Sequence, residues 1–362
     1  MARMSSPLVF VTALLVSIAP SAAAAQTVSA GHPSSSVRIG VLGLFHPREL
    51  TVSALPAHAL VLHAGENGVV LERSSGLNSA TVCVSAGGVL LTAGPRVIST
   101  SELTVTGREN EATDFLLSVP GKITRRYYGT LEIKPSSGIL VAIVTMDREI
   151  AVASVVAAED TADTPIEALK AQAVAARSYF AASGERHLDF DFCDTTHCQF
   201  LRSPPAPESI AAQAVAATHD LVLAYDSQPF AAMYTRSCSG RTRTPAELGL
   251  PSASYPYYPV ECKYCRTHPV HWISRLSAHD AAGLRSSDES ARLNIVRRLG
   301  WAAVPSTDFV IRKEKDQIVL EGTGQGHGIG LCQAGAKAMA QEGADFREIL
   351  SYYYPNATVM PR

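Results

Sequence analysis

The stretch from Ser36 to Met146 is cut into short segments rich in Val, Leu, Ile and Thr, each bounded by Gly, Pro, Asn or Ser. "SVRIGVLGLF", "LTVSAL", "ALVLHA", "GVVLER", "ATVCVS", "GVLLTA", "ELTVTG" and "GTLEIKP" come one after another, and "GILVAIVTM" (Gly138 to Met146) closes the series. Segments of this length and composition, with turn residues between them, read as strands. Residues 37–146 are therefore expected to form a sheet-rich N-terminal part. It holds no cluster of catalytic residue types, so its expected role is to support or position the rest of the chain.

Helical character begins at Asp147. Asp147 to about Ala158 reads as one helix, ending near Glu159. After a short loop, Thr164 suits an N-cap, Pro165 the first helical position and Glu167 the return partner of a capping box. Ile166, Leu169, Ala173, Ala176 and Phe180 recur at helical spacing as an apolar stripe, and Gly184 is a stop signal. Lys170 and Arg177 are seven residues apart, so they share a face about 10 Å apart along the axis. From periodicity alone that face is a solvated one. Pro207 to Asp220 reads as a further helix, and "LVLAYDSQPFAAMYTRSCSG" as two strands joined at Asp226–Ser227. Near the end, "DQIVLEG" is a strand, "TGQGHGIG" a Gly-rich turn and "LCQAGAKAMAQEG" a helix closed by Gly343. The fold class expected is α+β, a sheet-rich part succeeded by a mixed α/β part from 147 to 362.

The first residues read as a signal peptide, 1–25: Arg3, an apolar core from Pro7 to Ala19 too short to span a bilayer comfortably, then "PSAAAAQ" with cleavage near Ala25. The alternative is a membrane anchor. No Cys comes after the apolar stretch, which argues against a lipid anchor. Residues 26–36 read as a flexible leader, and the chain is expected to be exported, periplasmic or extracellular, with no membrane anchor after cleavage. A formal net charge of −2 argues against a general polyanion binder, so nucleic acid is not an expected partner.

Seven cysteines, an odd number, leave each to be weighed as bridge or ligand. "HLDFDFCDTTHCQF" offers His187, Cys193, His197 and Cys198 within a dozen residues, a donor set that suits tetrahedral zinc. Four protein ligands close the coordination shell, which points to a structural ion. The alternative is a Cys193–Cys198 disulfide beside two unrelated histidines. "CKYC" (Cys262 to Cys265) lacks the βαβ context of a thioredoxin-type pair. A local disulfide, an arrangement shared with Cys238 and Cys332, and a second metal site built from all four remain open.

At "EALKAQAVAARSYF", with Glu159 ahead of it, the sequence resembles the SpoIID/LytB family, the stage II sporulation protein D group. "YYGTLEI" (Tyr127 to Ile133), "MYTRSCSGRT" (Met233 to Thr242), "GTGQGHGIGLCQAGAKAMAQEG" (Gly322 to Gly343) and "ILSYYYPNA" (Ile349 to Ala357) resemble its other motifs in the same order. The resemblance runs from about Val37 to the C-terminus. It departs at Ile150, where the family often has an aromatic residue, and at Asp160–Thr161, where it often has Met-Pro.

The resemblance implies peptidoglycan glycan strands as substrate. Members include lytic transglycosylases that prefer strands stripped of their stem peptides; others are enhancers of cell-wall amidases, which makes an amidase a candidate partner. It also implies that Glu159 is the catalytic acid. Ordinary glycosidases use two carboxyl groups. In a lytic transglycosylase the sugar's own C6 hydroxyl attacks the anomeric carbon and forms a 1,6-anhydro ring, so one group suffices to give a proton and then take one. Such a group must stay protonated near neutral pH, and apolar surroundings such as "SVVAA" favour that. Asp160 is the adjacent rival, and a helix-end ion pair is the bland reading of Glu159.

On the same resemblance, Lys170, Arg177 and Arg236 suit the lactyl carboxylate carried by every other sugar. Arg177 alternatively pairs with Glu159 or another acid. Tyr234 and Tyr352–Tyr354 suit stacking on sugar faces or a place in the core. Ser237 and Gln333 belong to the matching motifs, and His327 either orients substrate or makes a buried structural hydrogen bond. Some members bind zinc through a His–Cys–His–Cys cluster like His187, Cys193, His197 and Cys198, and the motifs holding Cys238, Cys262, Cys265 and Cys332 lie close in the family's fold. "TGQGHGIG" lacks the Lys-Ser/Thr of a phosphate-binding loop, so no nucleotide is expected. A metal-dependent wall hydrolase is the third reading, disfavoured by the closed ligand set.

Overall fold

Alternation along the first strands sets the architecture. The computed structural model describes residues 35–159, 163–184, 187–315 and 317–362. The signal-peptide reading and most of the leader, and Asp160–Thr161, lie outside the described residues. Strands β1 (Ser36–Val41), β2 (Glu49–Ala54), β3 (Ala59–Ala64), β4 (Asn67–Glu72), β5 (Ser79–Ser85) and β6 (Gly88–Ala93) match the segments read from the sequence. So do β8 (Leu103–Thr106) and β11 (Ile139–Asp147). Sequence reading missed β7 (Arg96–Thr100), β9 (Thr113–Val119) and the first half of β10 (Ile123–Ser136).

The strands curl into one antiparallel sheet because β10 serves two ladders. Ile123 to Gly129 pair with β9, and Thr130 to Ser136 pair with β11, with Leu131 to Ile133 also facing β8. Gly129, at φ +148°, sits at the changeover, where a Cβ would lie 2.3 Å from the Thr145 carbonyl oxygen. Only glycine permits that approach. Inward-pointing Leu50, Val52, Phe115, Leu117, Leu131 and Ile133 are fully buried between the curled layers.

The second half brings α1 (Arg148–Glu159), α2 (Ile166–Ala182), β12 (Phe192–Cys193), α3 (Ile210–Ala217), β13 (Leu221–Tyr225), β14 (Gln228–Pro229) and β15 (Tyr234–Thr235). It continues with α4 (Lys263–Thr267), β16 (His271–Ser277), α5 (Glu289–Leu299), β17 (Asp308–Glu314), β18 (Gln317–Thr323), β19 (Leu331–Cys332), α6 (Gln333–Gln341), α7 (Phe346–Tyr353) and β20 (Thr358–Pro361). The mixture bears out the α+β class, and Ser35–Arg362 is one compact unit.

Helix α2 is the spine of this half. Leu169, Ala173, Ala176 and Phe180 pack into the core shared with the sheet and α1. Ala168, Ala171, Val174 and Ala175 pack into a second core with α6, α7 and the aromatic residues Phe230, Tyr255 and Tyr353. Both sides are buried, which is why small alanines fill it: each lets a neighbouring element come close. The expected capping box is absent. Pro165 occupies the N-cap position with no side-chain cap bond, and the Glu167 carboxylate instead accepts from the Phe346 amide at 3.0 Å and from Lys170 Nζ at 2.7 Å. It thus ties the start of α2 to that of α7. A third, smaller core lies under β16, β18 and β17, with Leu276, Leu320, Ile295 and Val296 at its centre.

Candidate active site and metal-ligand clusters

Glu159 is the last residue of α1, half-buried at the edge of a cleft of about 460 Å³. Every residue lining that cleft falls between Val156 and Gln341, so the sheet-rich part contributes none of its wall. One wall comes from α1 and α2 (Glu159, Leu169, Gln172), the other from Arg236, Ser237, Tyr264 and α6 (Gln333, Lys337).

Gln333, at the first position of α6, places its amide between the walls. Its Nε2 donates to Glu159 Oε2 at 3.4 Å and to Gln172 Oε1 at 3.4 Å. Burial pushes the Glu159 carboxyl above its ordinary value; the Gln333 hydrogen bond and the charges of Arg236 and Arg202 pull in the opposite direction. Its position at a helix C-terminus adds to the upward push, because the negative end of the helix dipole disfavours a second negative charge. The result is a carboxyl inclined to hold a proton, beside cations able to stabilise the carboxylate once the proton leaves.

The sequence-predicted residues separate into two groups. Glu159, Arg236, Ser237 and Gln333 meet at the cleft. Arg236 is exposed and makes no ion pair among the described residues. Ser237 lines the cleft, but its hydroxyl lies 3.5 Å from Cys265 Sγ.

Arg177, Lys170, Tyr234 and His327 do not line the cleft. Arg177 is 1% exposed and forms a bidentate pair with Glu149, Nε to Oε1 and Nη2 to Oε2 at 2.6 Å each. Its remaining donors reach the carbonyls of Leu221 and Val215. It therefore pairs with an acid of α1, not with Glu159, and locks α1, α2, α3 and β13 together. Lys170 is bound to Glu167 at 2.7 Å. Tyr234 donates to Gln199 Oε1 at 3.0 Å, and Gln199 donates to the Ala176 carbonyl of α2. His327 accepts from the Ile329 amide at Nδ1 and donates to the Tyr234 backbone, a fixed neutral ring whose protonation burial disfavours. Tyr353 and Tyr354 are core residues, as aromatic residues at that spacing commonly are.

Sequence reasoning missed Gln172. It is 4% exposed, lines the cleft, and its Nε2 has no hydrogen-bond partner among the described residues. A glutamine inside a run of buried alanines was the available signal, because a buried amide donor left without a partner is costly unless a ligand completes it.

Two clusters of metal-ligand side chains lie outside the cleft lining. The ligand atoms of His187, Cys193, His197 and Cys198 all lie within 4.8 Å of one another. Their segment is stitched to the sheet: Cys193 is in parallel register with Gly40, and Asp194 accepts from the Leu42 amide at 3.1 Å and pairs with Arg125 at 3.0 Å. Gly40 lets the Phe190 ring lie directly over this strand: a Cβ there would lie 2.5 Å from the ring's tip. The second cluster is Cys238, Cys262, Cys265 and Cys332, all buried, with the four Sγ atoms again within 4.8 Å of one another. Both clusters could hold a metal ion.

Comparison with known proteins locates the most family-like part. The family model described as stage II sporulation protein, SpoIID, matches residues 136–225. That interval holds α1, Glu159, α2 and the His/Cys cluster, while Arg236, Gln333 and the four-cysteine cluster fall outside it. An uncharacterised protein of Brachyspira hyodysenteriae is 28% identical over 267 residues, 65% of this chain and 72% of that protein. Stage II sporulation protein D of Bacillus subtilis is 27% identical over 252 residues, 58% of this chain and 73% of that protein. The amidase enhancer of Bacillus subtilis is 39% identical over 61 residues, 17% of this chain and 9% of that protein.

Proposed function

Because the chain belongs to the SpoIID/LytB family, we propose that it is an exported peptidoglycan-remodelling protein that cuts glycan strands as a lytic transglycosylase. A cell-wall remodelling role is what the family match and the relatives' names support. The finer reading rests chiefly on one observation: Glu159, the one acid lining the cleft among the described residues, is pushed towards its protonated form by burial and sits near Arg236, which makes no ion pair among the described residues.

In this reading Glu159 protonates the bridging oxygen between N-acetylmuramic acid and N-acetylglucosamine as the bond to the anomeric carbon breaks. The resulting carboxylate then takes the proton of the C6 hydroxyl as that oxygen bonds to the same carbon. The proton count balances and no water enters. Gln333 and the Arg236 and Arg202 charges steady the carboxylate between the two transfers, and Arg236 also suits the lactyl carboxylate of a peptide-stripped strand. The Gln172 amide supplies a donor for a sugar hydroxyl or acetamido carbonyl. The sheet-rich part, 37–146, carries the cleft-forming part, 147–362. No helix among the described residues is long and apolar enough to cross a membrane.

The His/Cys cluster is assigned to structural zinc on its donor geometry. Zn–S bonds of about 2.3 Å and Zn–N bonds of about 2.0–2.1 Å in a tetrahedron separate N from S by about 3.5 Å. Here His187 Nε2 lies 3.4 Å from Cys198 Sγ, and His197 Nδ1 lies 3.5 Å from Cys198 Sγ and 3.7 Å from Cys193 Sγ. Four protein ligands leave no position for substrate, so these residues pin the segment after α2.

The short, more similar match to an amidase enhancer favours a second reading, in which the same cleft holds glycan without cutting it and assists an amidase. One experiment separates the two. Peptide-stripped and peptide-bearing strands are incubated with wild type and with Glu159→Gln, and the products are resolved by mass spectrometry. Anhydro ends from wild type alone support the transglycosylase. Glycan binding by both proteins with no new ends supports the enhancer. Reducing ends would overturn both.

A further inference from the structure

We propose that Cys238, Cys262, Cys265 and Cys332 form a second zinc site, a closed tetrathiolate that staples the wall of the cleft opposite Glu159. The sulfurs converge on one point. All four are buried, and each lies within 4.8 Å of the other three. Two disulfides would satisfy the thiols in pairs and would not require this fourfold convergence. Tetrahedral zinc requires it: bonds of about 2.3 Å set S···S edges of about 3.8 Å. Cys265 and Cys332 are 3.5 Å apart. A cubane iron–sulfur cluster spreads its four cysteines around a multi-iron core and fits this small tetrahedron poorly.

The surroundings suit charged sulfur. Ser237 Oγ lies 3.5 Å from Cys265 Sγ and Tyr353 Oη 3.5 Å from Cys262 Sγ, two hydroxyls able to donate to thiolates in a core that otherwise offers them little. Gly335 leaves room for the site: a Cβ there would lie 2.6 Å from Cys262 Sγ and 2.0 Å from Tyr353 Oη.

The ligands are interleaved with the cleft wall. Arg236 and Ser237 precede Cys238, Tyr264 lies between Cys262 and Cys265, and Gln333 comes directly after Cys332; all four are wall residues. Apart from α6, this wall has little regular structure to hold it. Its strand pairing is the two-residue β15–β19 ladder, and α4 has only five residues. One ion bound by three separate segments supplies the rigidity that the backbone does not.

The test uses the full chain purified without chelators. Metal analysis and native mass spectrometry of Cys193→Ser/Cys198→Ser are expected to find one zinc per chain, so the result does not depend on the first cluster or on glycan cleavage. Cys262→Ser/Cys265→Ser should lose that zinc and keep whatever the His/Cys cluster binds. Cobalt(II) in place of zinc should show thiolate charge-transfer absorption at the intensity of four sulfurs. Wild type, alkylated under denaturing, non-reducing conditions, should show Cys238, Cys262, Cys265 and Cys332 all as free thiols once zinc is released. Disulfides among these four in wild type, iron in place of zinc, or no zinc in Cys193→Ser/Cys198→Ser that still unfolds cooperatively would each overturn the proposal. The wild-type disulfide map decides the matter even if a variant fails to fold.

Discussion

Arg177→Met separates substrate binding from scaffolding most sharply. Arg177 is 1% exposed, and its partner Glu149 is 22% exposed, so solvent screens the pair only weakly. The change strands the Glu149 carboxylate and frees the Leu221 and Val215 carbonyls that Arg177 now serves. Removing one partner of a buried ion pair costs about 3–5 kcal/mol. For a chain of this size, each kcal/mol moves the melting temperature by about 2 °C, so a fall of roughly 6–10 °C is expected in a thermal scan. Glu149→Leu alone should destabilise as well, by leaving the guanidinium unpaired. The two together should destabilise by less than the sum, with a coupling of about 2 kcal/mol. Glycan affinity, measured well below the transition, should stay within twofold of wild type. A melting temperature unchanged in Arg177→Met together with glycan affinity lowered severalfold would refute the reasoning and put the guanidinium on the substrate.

Four further outcomes are expected. On the transglycosylase reading proposed above, the working form of Glu159 is the protonated one, so cleavage should decline as pH rises through its raised pKa. Gln333 donates to the carboxylate and favours its ionised form, so Gln333→Leu should move that alkaline limb to higher pH; a lower rate with an unmoved limb would mean that Gln333 serves only the substrate. Gln172→Leu removes a buried donor with no partner among the described residues, together with the long 3.4 Å acceptor contact to Gln333 Nε2, and should leave the melting temperature within about 2 °C while raising KM for glycan, whereas a large loss of stability would make Gln172 structural. Gly335→Ala pushes a methyl group against Tyr353 and Cys262 and should cost about 1–3 kcal/mol of stability, read from a urea midpoint; no loss would show that this core can yield.

Where a local rule governs the fold, the sequence was readable. The turn at Asp226–Ser227 has left-handed φ at both residues, +49° and +63°, as a tight hairpin demands, and it joins β13 to β14, although the expected second strand stops at Pro229 and β15 beyond it pairs with β19. Alternation exposed most strands of the curled sheet. β7 escaped because it is an edge strand with little buried on either face, and β10 because Gly129 hides the continuity of one strand shared by two ladders. Tertiary partners defeated local reasoning elsewhere. Thr164-Pro-Ile-Glu167 has the spacing of a capping box, yet the carboxylate is drawn to Phe346, 179 residues away. A stripe of apolar residues marks one buried face of a helix. It could not show that α2 is buried on the other face too, because alanine is compatible with solvent and with close packing alike. Arg177 failed as a cleft residue for the same reason: its partner, Glu149, lies on another helix, and helical periodicity says nothing about what faces the far side.

The two walls of the cleft are built by different means, and that bears on how such a site can vary. The acid-bearing wall rests on long-range order: α1 is clamped to α2 by the Arg177–Glu149 pair, and α2 is buried between two cores. It lies within the interval matched by the family model, residues 136–225. The facing wall, with Arg236, Tyr264 and Gln333, lies outside that interval and, apart from α6, is held by a two-residue ladder and the five-residue α4. A proton-transfer group must be held to a fraction of an ångström, whereas residues that grip a polymer can be exchanged if their support survives the exchange. The four cysteines provide support of that kind, because ion coordination fixes backbone positions without specifying the side chains between the ligands. Changes at Arg236, Tyr264 or Lys337 should therefore alter which glycan is held while sparing the fold, and changes at Glu149 or Arg177 should do the reverse.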